Sequence, residues 1–105
     1  MDDDSLLEEI LISVPFVSPA AAVLRTIGAQ AAMEVTSALR GRFKDCLPVE
    51  GSLSVWPQEV AAESLVFRAR VTRAVLSASG GANLLADQIL GMLEEVAIRS
   101  RKDIA

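Results

Sequence analysis

Apolar residues recur at helical spacing at the start of the chain. Ser5 and Glu8 form a capping box, in which each side chain can bond the other residue's backbone N–H. The apolar stripe that follows consists of Leu6, Leu7, Ile10, Leu11 and Val14. Pro15 ends the segment, which is too short to be stable alone in water. The pattern therefore predicts an acidic N-terminal helix over residues 1–14 that docks on another surface.

A second and longer amphipathic helix is predicted over residues 18–47. Ser18 is a suitable N-cap, and Pro19 suits the first helical position, where its missing N–H costs nothing. At 100° per residue the apolar positions of this segment fall within an arc of about 160°. They are Ala20, Val23, Leu24, Ile27, Ala31, Val35, Ala38 and Leu39. Gly28 and Ala32 are small enough to let another helix cross closely.

The hydrophobic period changes to two between residues 52 and 76, which predicts a two-stranded antiparallel hairpin. The clearest alternation sets Leu65, Phe67, Ala69 and Val71 against Val66, Arg68, Arg70 and Thr72. After a Gly-containing break, a last helix is predicted over residues 82–102. Its apolar stripe is Leu85, Ile89, Met92, Leu93 and Val96. We therefore predict one small α+β domain over residues 1–105, in the order α-α-β-β-α. An all-α helical bundle is the alternative.

Composition supports a folded domain and places the acidity at one end. The chain has 105 residues and a net charge of −4, and 51% of its residues are hydrophobic. Five of the 14 acidic residues lie within the first nine positions, which leaves nine acids against ten bases in the rest. A nearly neutral body gives no general attraction to nucleic acid or to anionic lipid. No apolar run reaches the 18 residues that a membrane span needs.

The inventory of reactive side chains argues against catalysis. The chain has no histidine and one cysteine, Cys46, so a Cys–His nucleophile, an intrachain disulfide and a Cys-cluster metal site are all excluded. Asp45 and Leu47 flank Cys46, and such neighbours raise the pKa of a thiol, so we interpret Cys46 as a buried structural residue. We expect a protein without enzymatic activity and without cofactor or metal. The lone cysteine and the acidic N-terminus, which is unlike a signal peptide, favour a cytoplasmic location.

Three arginines near the second strand form the most informative polar cluster. On a strand, Arg68 and Arg70 project from one face about 7 Å apart, and Arg73 follows closely. They can form a solvated sheet face, pair with Glu59 and Glu63 across the hairpin, contact a protein partner's acidic surface, or bind phosphates. Trp56, the only tryptophan, fits either the core or an interface hot spot.

The mean hydropathy of +0.39 and the unpaired edges of a lone hairpin indicate surface that another chain covers. Our first hypothesis is a non-enzymatic interaction or assembly protein: an oligomeric subunit, an adaptor or a small chaperone, present as a homo-oligomer or a hetero-complex. Its candidate partner-binding residues are Leu6, Leu7, Ile10, Leu11, Trp56, Arg68, Arg70 and Arg73. The alternative is a small nucleic-acid-binding dimer that contacts phosphates through Arg68 and Arg70.

Overall fold

The protein is an α+β domain with a three-stranded antiparallel sheet, and the predicted fold class is confirmed. A computed structural model describes residues 7–46, 53–60 and 62–104. The elements in chain order are β1 (Leu7–Pro15), α1 (Pro19–Arg42), a short 3-10 turn (Lys44–Cys46), β2 (Ser54–Val60), β3 (Ser64–Thr72), α2 (Arg73–Ser79) and α3 (Ala82–Ile104). The strands lie in the order β1-β3-β2, so β3 is central and both of its neighbours are edge strands.

The predicted N-terminal docking helix is wrong, because Leu7–Pro15 is the strand β1. It pairs antiparallel with β3 from Leu7 opposite Thr72 to Pro15 opposite Ser64. Ile10, Ile12 and Val14 point towards the core, and β-branched side chains pack well on a pleated sheet. The pairing satisfies the backbone groups on the side of the strand that faces β3, in a segment that would be a marginal helix alone. The capping box at Ser5 lies outside the described residues.

Helix α1 begins as predicted but ends earlier. The Ala20 backbone N–H donates to the Ser18 hydroxyl at 3.3 Å, which confirms the N-cap. The helix ends at Arg42, and its backbone departs from helical angles at Ile27, where φ is −111° and ψ is 20°. Gly28 faces the sheet rather than another helix: a Cβ there would lie 3.6 Å from Pro57 and 3.7 Å from Phe67. The small residue therefore lets α1 approach the sheet.

The predicted hairpin is present as β2 and β3, but the predicted range extends too far. Residues 73–76 belong to α2, whose N-cap hydroxyl of Thr72 accepts from the Val75 N–H at 3.3 Å. Gly80 ends α2 with a φ of 96°, a left-handed conformation that favours glycine. The hairpin carries a register shift between Pro57 and Glu59.

The core lies between one face of the sheet and the two long helices. The alternation predicted for β3 is confirmed, since Leu65, Phe67, Ala69 and Val71 are all buried. The long helices contribute residues that the helical spacing also identified: Leu24, Ala31, Val35, Leu39, Leu85, Ile89, Leu93 and Val96. Helix α1 packs on α3 and, within the sheet, mainly on β2, whereas α3 packs on α1 and on β1. Among the described helices, none combines the length and apolar character required to cross a bilayer.

Candidate functional site

The sheet has a second face, which we name the open face because the described helices pack on the other side. Alternation along the strands assigns its members. They are Leu7, Glu9, Leu11 and Ser13 of β1, Ser54 and Trp56 of β2, and Val66, Arg68 and Arg70 of β3. Leu7 and Leu11 are 51% and 57% exposed. The open face therefore presents two large apolar side chains on one edge strand.

An ion-pair network holds the centre of the open face. Arg68 Nη1 donates to Glu9 Oε2 at 3.0 Å, and Arg70 Nη2 donates to Glu9 Oε1 at 3.0 Å. The register explains this geometry, because Glu9 lies opposite Arg70 and Leu11 lies opposite Arg68. The hydrogen bond from Arg70 is the main reason why the pKa of Glu9 lies below its ordinary value. Arg68 adds to this effect, and partial desolvation opposes it.

Trp56 lies beside this network on the open face. The guanidinium carbon of Arg70 lies 5.6 Å from the centroid of the Trp56 ring, which is within range of a cation–π interaction. Trp56 is half-buried on this face. Trp56 lies opposite Arg68 in the register and is a diagonal neighbour of Arg70, so contacts through Arg70 link Glu9 of β1 to Trp56 of β2.

Arg73, which the sequence grouped with Arg68 and Arg70, lies apart from them. It is the first residue of α2, and its Nε donates to Glu8 Oε1 at 2.9 Å. Glu8 lies opposite Val71, one position out of phase with the residues of the open face. The three arginines therefore form two separate sets of ion pairs, and the acids that they bind come from β1 rather than from the hairpin loop.

The predicted apolar stripe of the N-terminal segment divides between two faces. Leu7 and Leu11 lie on the open face, whereas Ile10 points to the core side and is half-buried. Leu6 lies outside the described residues. The prediction that Cys46 is buried also lies outside what the structure describes, since only the backbone of that residue is described. The sequence analysis missed Glu9, although its position between two leucines on an alternating segment was a usable signal.

A shallow groove of about 300 Å³ between α1 and α3 is another candidate site. Its lining includes Glu34, Ala38, Met92, Glu95 and Arg99, which offers no nucleophile paired with a base. Within residues 7–46, 53–60 and 62–104, no group of three or more Asp, Glu or Cys side chains converges to hold a metal ion. The open face is therefore the stronger candidate for a functional surface.

Comparison of the chain with protein-family models, with curated proteins and with solved structures finds no match.

Proposed function

We propose that this chain is a non-enzymatic protein-interaction subunit that binds other protein chains through the open face of its sheet and the strand β1. The observation that carries the proposal is the exposure of Leu7 and Leu11 on either side of Glu9. Antiparallel sheets with one solvated face usually present polar residues there, and large apolar side chains exposed together on such a face are typical of a contact surface.

The neighbours of the two leucines fit a protein interface. Trp56 and Arg70 belong to the residue types that are enriched at interface hot spots, and they stack on one another. The ion pairs to Glu9 fix both guanidinium groups in one arrangement before any partner arrives. A preorganised surface loses less side-chain entropy on binding than a mobile one.

The same ion pairs weigh against the alternative, a nucleic-acid-binding dimer that grips phosphates through Arg68 and Arg70. Each guanidinium already donates to the Glu9 carboxylate, so a phosphate would have to displace that carboxylate or share the donors with it. Glu9 also cancels one of the two positive charges, which lowers the attraction to a polyanion.

Capture from an extract of the cells that express the protein tests the proposal. The tagged chain is compared with the double variant Leu7→Lys/Leu11→Lys and with the control Met33→Lys, since Met33 is an exposed apolar residue on α1. All samples are treated with nuclease. We expect a defined set of proteins, including untagged copies, to be captured by the wild type and the control and lost from the double variant.

Two outcomes would contradict the proposal. One is capture that is equal for all three chains, because the open face would then play no part in binding. The other is binding of a fluorescent single- or double-stranded oligonucleotide that weakens steeply with salt and is lost on Arg68→Ala/Arg70→Ala. That result would support the nucleic-acid alternative.

A further inference from the structure

The two outer edges of the sheet differ, and the edge of β2 is closed. The Val55 N–H donates to the buried Thr36 hydroxyl at 2.9 Å, and Arg40 Nε donates to the Leu53 carbonyl at 3.1 Å. Pro57 has no N–H, and the register shift that follows it twists the strand. Side chains of α1, a proline and a bulge are all devices that prevent another strand from pairing there.

Along most of its length, the edge of β1 has none of these features within the described residues. In an antiparallel ladder each residue directs its N–H and C=O to the same side. The bond from Val55 to Thr36 shows that Val55 points away from β3, so its partner Ala69 points towards β1. Ala69 faces Ile10, and the neighbours of Ile10 therefore direct their backbone groups outward.

We name the outward backbone groups of Glu9, Leu11 and Ser13 the β1 edge. Within the described part of the chain, nothing hydrogen-bonds to these groups. Pro15 is the next outward position, and proline is tolerated there because no ladder bond is required of it.

The Glu9 carboxylate, the charged group at this edge, points back over the sheet. Glu9 is the one charged side chain among the outward residues from Leu7 to Ser13. Charged side chains on an edge strand discourage pairing with another strand. Here Arg68 and Arg70 of β3 draw the carboxylate back over the sheet and neutralise it. The edge therefore combines unsatisfied backbone with an apolar surface at Leu7 and Leu11.

We infer that the β1 edge pairs antiparallel with the β1 edge of a second copy, joining two three-stranded sheets into one of six strands. This inference rests on the proposed function and names its partner. A two-fold axis makes such a contact self-complementary, and outward residues meet outward residues only if the axis passes beside a residue. An axis at Leu11 sets Leu11 against Leu11 of the copy, Glu9 against Ser13, and Ile10 against Ile12.

Charge and apolar matching favour this register over the others that pair outward residues. An axis at Ile10 or Ile12 would set Leu11 against Glu9 or Ser13 of the copy, so the two Leu11 side chains would not meet. An axis at Glu9 would place two carboxylates directly opposite one another, which is destabilising. With the axis at Leu11, no two like charges lie opposite one another between Glu8 and Val14. The exposed Leu11 of one copy then contacts Leu11 of the other. This register also extends the cover over Ile10, which a single chain leaves half-buried.

Helix α3 provides a second part of the same contact. It packs on β1, and its Met92 and Val96 line the groove shared with α1. At 100° per residue Leu90 lies about 160° from Met92 and so occupies the opposite flank. Ala86 and Leu90 on that flank are apolar and half-buried. The two-fold axis brings this flank beside its copy, and the small Ala86 lets the helices approach.

Mass by light scattering across concentration tests the pairing in the full chain. We expect a mass twice that of the 11.2 kDa chain at about 100 µM. The variant Leu11→Lys places two ammonium groups at the axis, and we expect its mass to fall to that of one chain. Met33→Lys is the matched control, because Met33 is 71% exposed and lies on α1, which within the sheet contacts mainly β2, and it should keep the doubled mass.

Disulfide trapping tests the register between the β1 strands of the two copies. In a Cys46→Ser background, Leu11→Cys should form a covalent dimer on oxidation, since residues opposite in an antiparallel pair have Cα atoms about 5.5 Å apart. Ser13→Cys is the control, because its equivalent would lie about 14 Å away at 3.4 Å per residue. Cross-linking of Ser13→Cys without Leu11→Cys would overturn the register.

The inference and the proposed function fail in different ways. A wild-type chain that stays at 11.2 kDa at every concentration overturns self-pairing. If that monomer still captures another protein through Leu7 and Leu11, the proposed function stands and the occupant of the edge is a different chain. The inference is also overturned if Leu11→Lys keeps the doubled mass and Leu11→Cys forms no covalent dimer. The dimer contact would then lie elsewhere on the protein.

Discussion

Thr36 offers the sharpest test of how α1 closes the edge of β2. Its hydroxyl accepts from the Val55 N–H at 2.9 Å and donates to the Ala32 carbonyl at 2.8 Å. Both Thr36 and Val55 are buried, so water cannot replace the hydroxyl. Thr36→Val keeps the shape of the side chain and has a similar helix propensity, but it leaves the Val55 N–H without a partner.

The expected cost follows from that single lost acceptor. An unsatisfied buried donor costs about 1–3 kcal/mol. For a domain of this size each kcal/mol lowers Tm by about 4–8 °C, so we expect Tm to fall by on the order of 10 °C. Urea denaturation monitored by circular dichroism should give a lower midpoint with an unchanged slope, since the surface exposed on unfolding is the same.

Two variants separate the hydrogen bond from the change in side-chain volume. Thr36→Ser keeps the hydroxyl and removes one methyl group, which should cost about 1 kcal/mol. Thr26→Val makes the same chemical change at an exposed position of α1 and should alter stability by less than about 0.5 kcal/mol. If Thr36→Val were as stable as Thr26→Val, the account of how the β2 edge is closed would be wrong.

The remaining predictions concern the ion pairs, the core and one turn. The native pKa of Glu9 is lowered, so its contribution to stability is present above the unfolded-state pKa near 4.5 and is lost as the pH falls through the native value. Glu9→Gln should therefore be less stable than wild type at pH 6, with the difference vanishing in acid and in about 1 M salt. Phe67→Ala empties the centre of the core and should cost about 3–5 kcal/mol in urea denaturation. Gly80→Ala should cost about 1–2 kcal/mol at its φ of 96°, whereas Gly41→Ala on α1 should be neutral or stabilising by calorimetry.

Local signals predicted the elements whose patterns were unambiguous. Ser18 followed by Pro19 marked the start of α1, and the cap forms as expected. The period of two around Phe67 identified β3, including which side chains are buried. In both cases the local preference and the tertiary packing agree, which is why sequence alone was sufficient.

The N-terminal segment fits two periods, and the wrong one was preferred. Leu7, Ile10, Leu11 and Val14 follow a helical spacing, whereas Ile10, Ile12 and Val14 follow a strand spacing. Whether the segment forms a helix or a strand depends on β3. The side of β3 that faces away from β2 needs a strand to pair with, and that strand is far away in the chain. The run of β-branched residues at alternate positions was the local signal that favoured a strand.

The ion-pair network was beyond local reasoning. Glu9 is 59 positions from Arg68 and 61 from Arg70, and their contact follows from the strand order β1-β3-β2. The sequence indicated that the two arginines share a face, which is correct. Which acid they bind depends on the register between β1 and β3, which no short motif specifies.

Amide hydrogen exchange at single-residue resolution, compared between about 1 µM and about 1 mM protein, tests the central claim that β1 is a binding edge. The inward amides of Ile10 and Ile12 bond to β3 and should be protected at both concentrations. We predict that the outward amides of Glu9, Leu11 and Ser13 exchange rapidly in the dilute sample and at least 10-fold more slowly in the concentrated one, as the edge becomes paired. Equal and rapid exchange of those three amides at both concentrations, in a sample whose mass has doubled, would contradict the account.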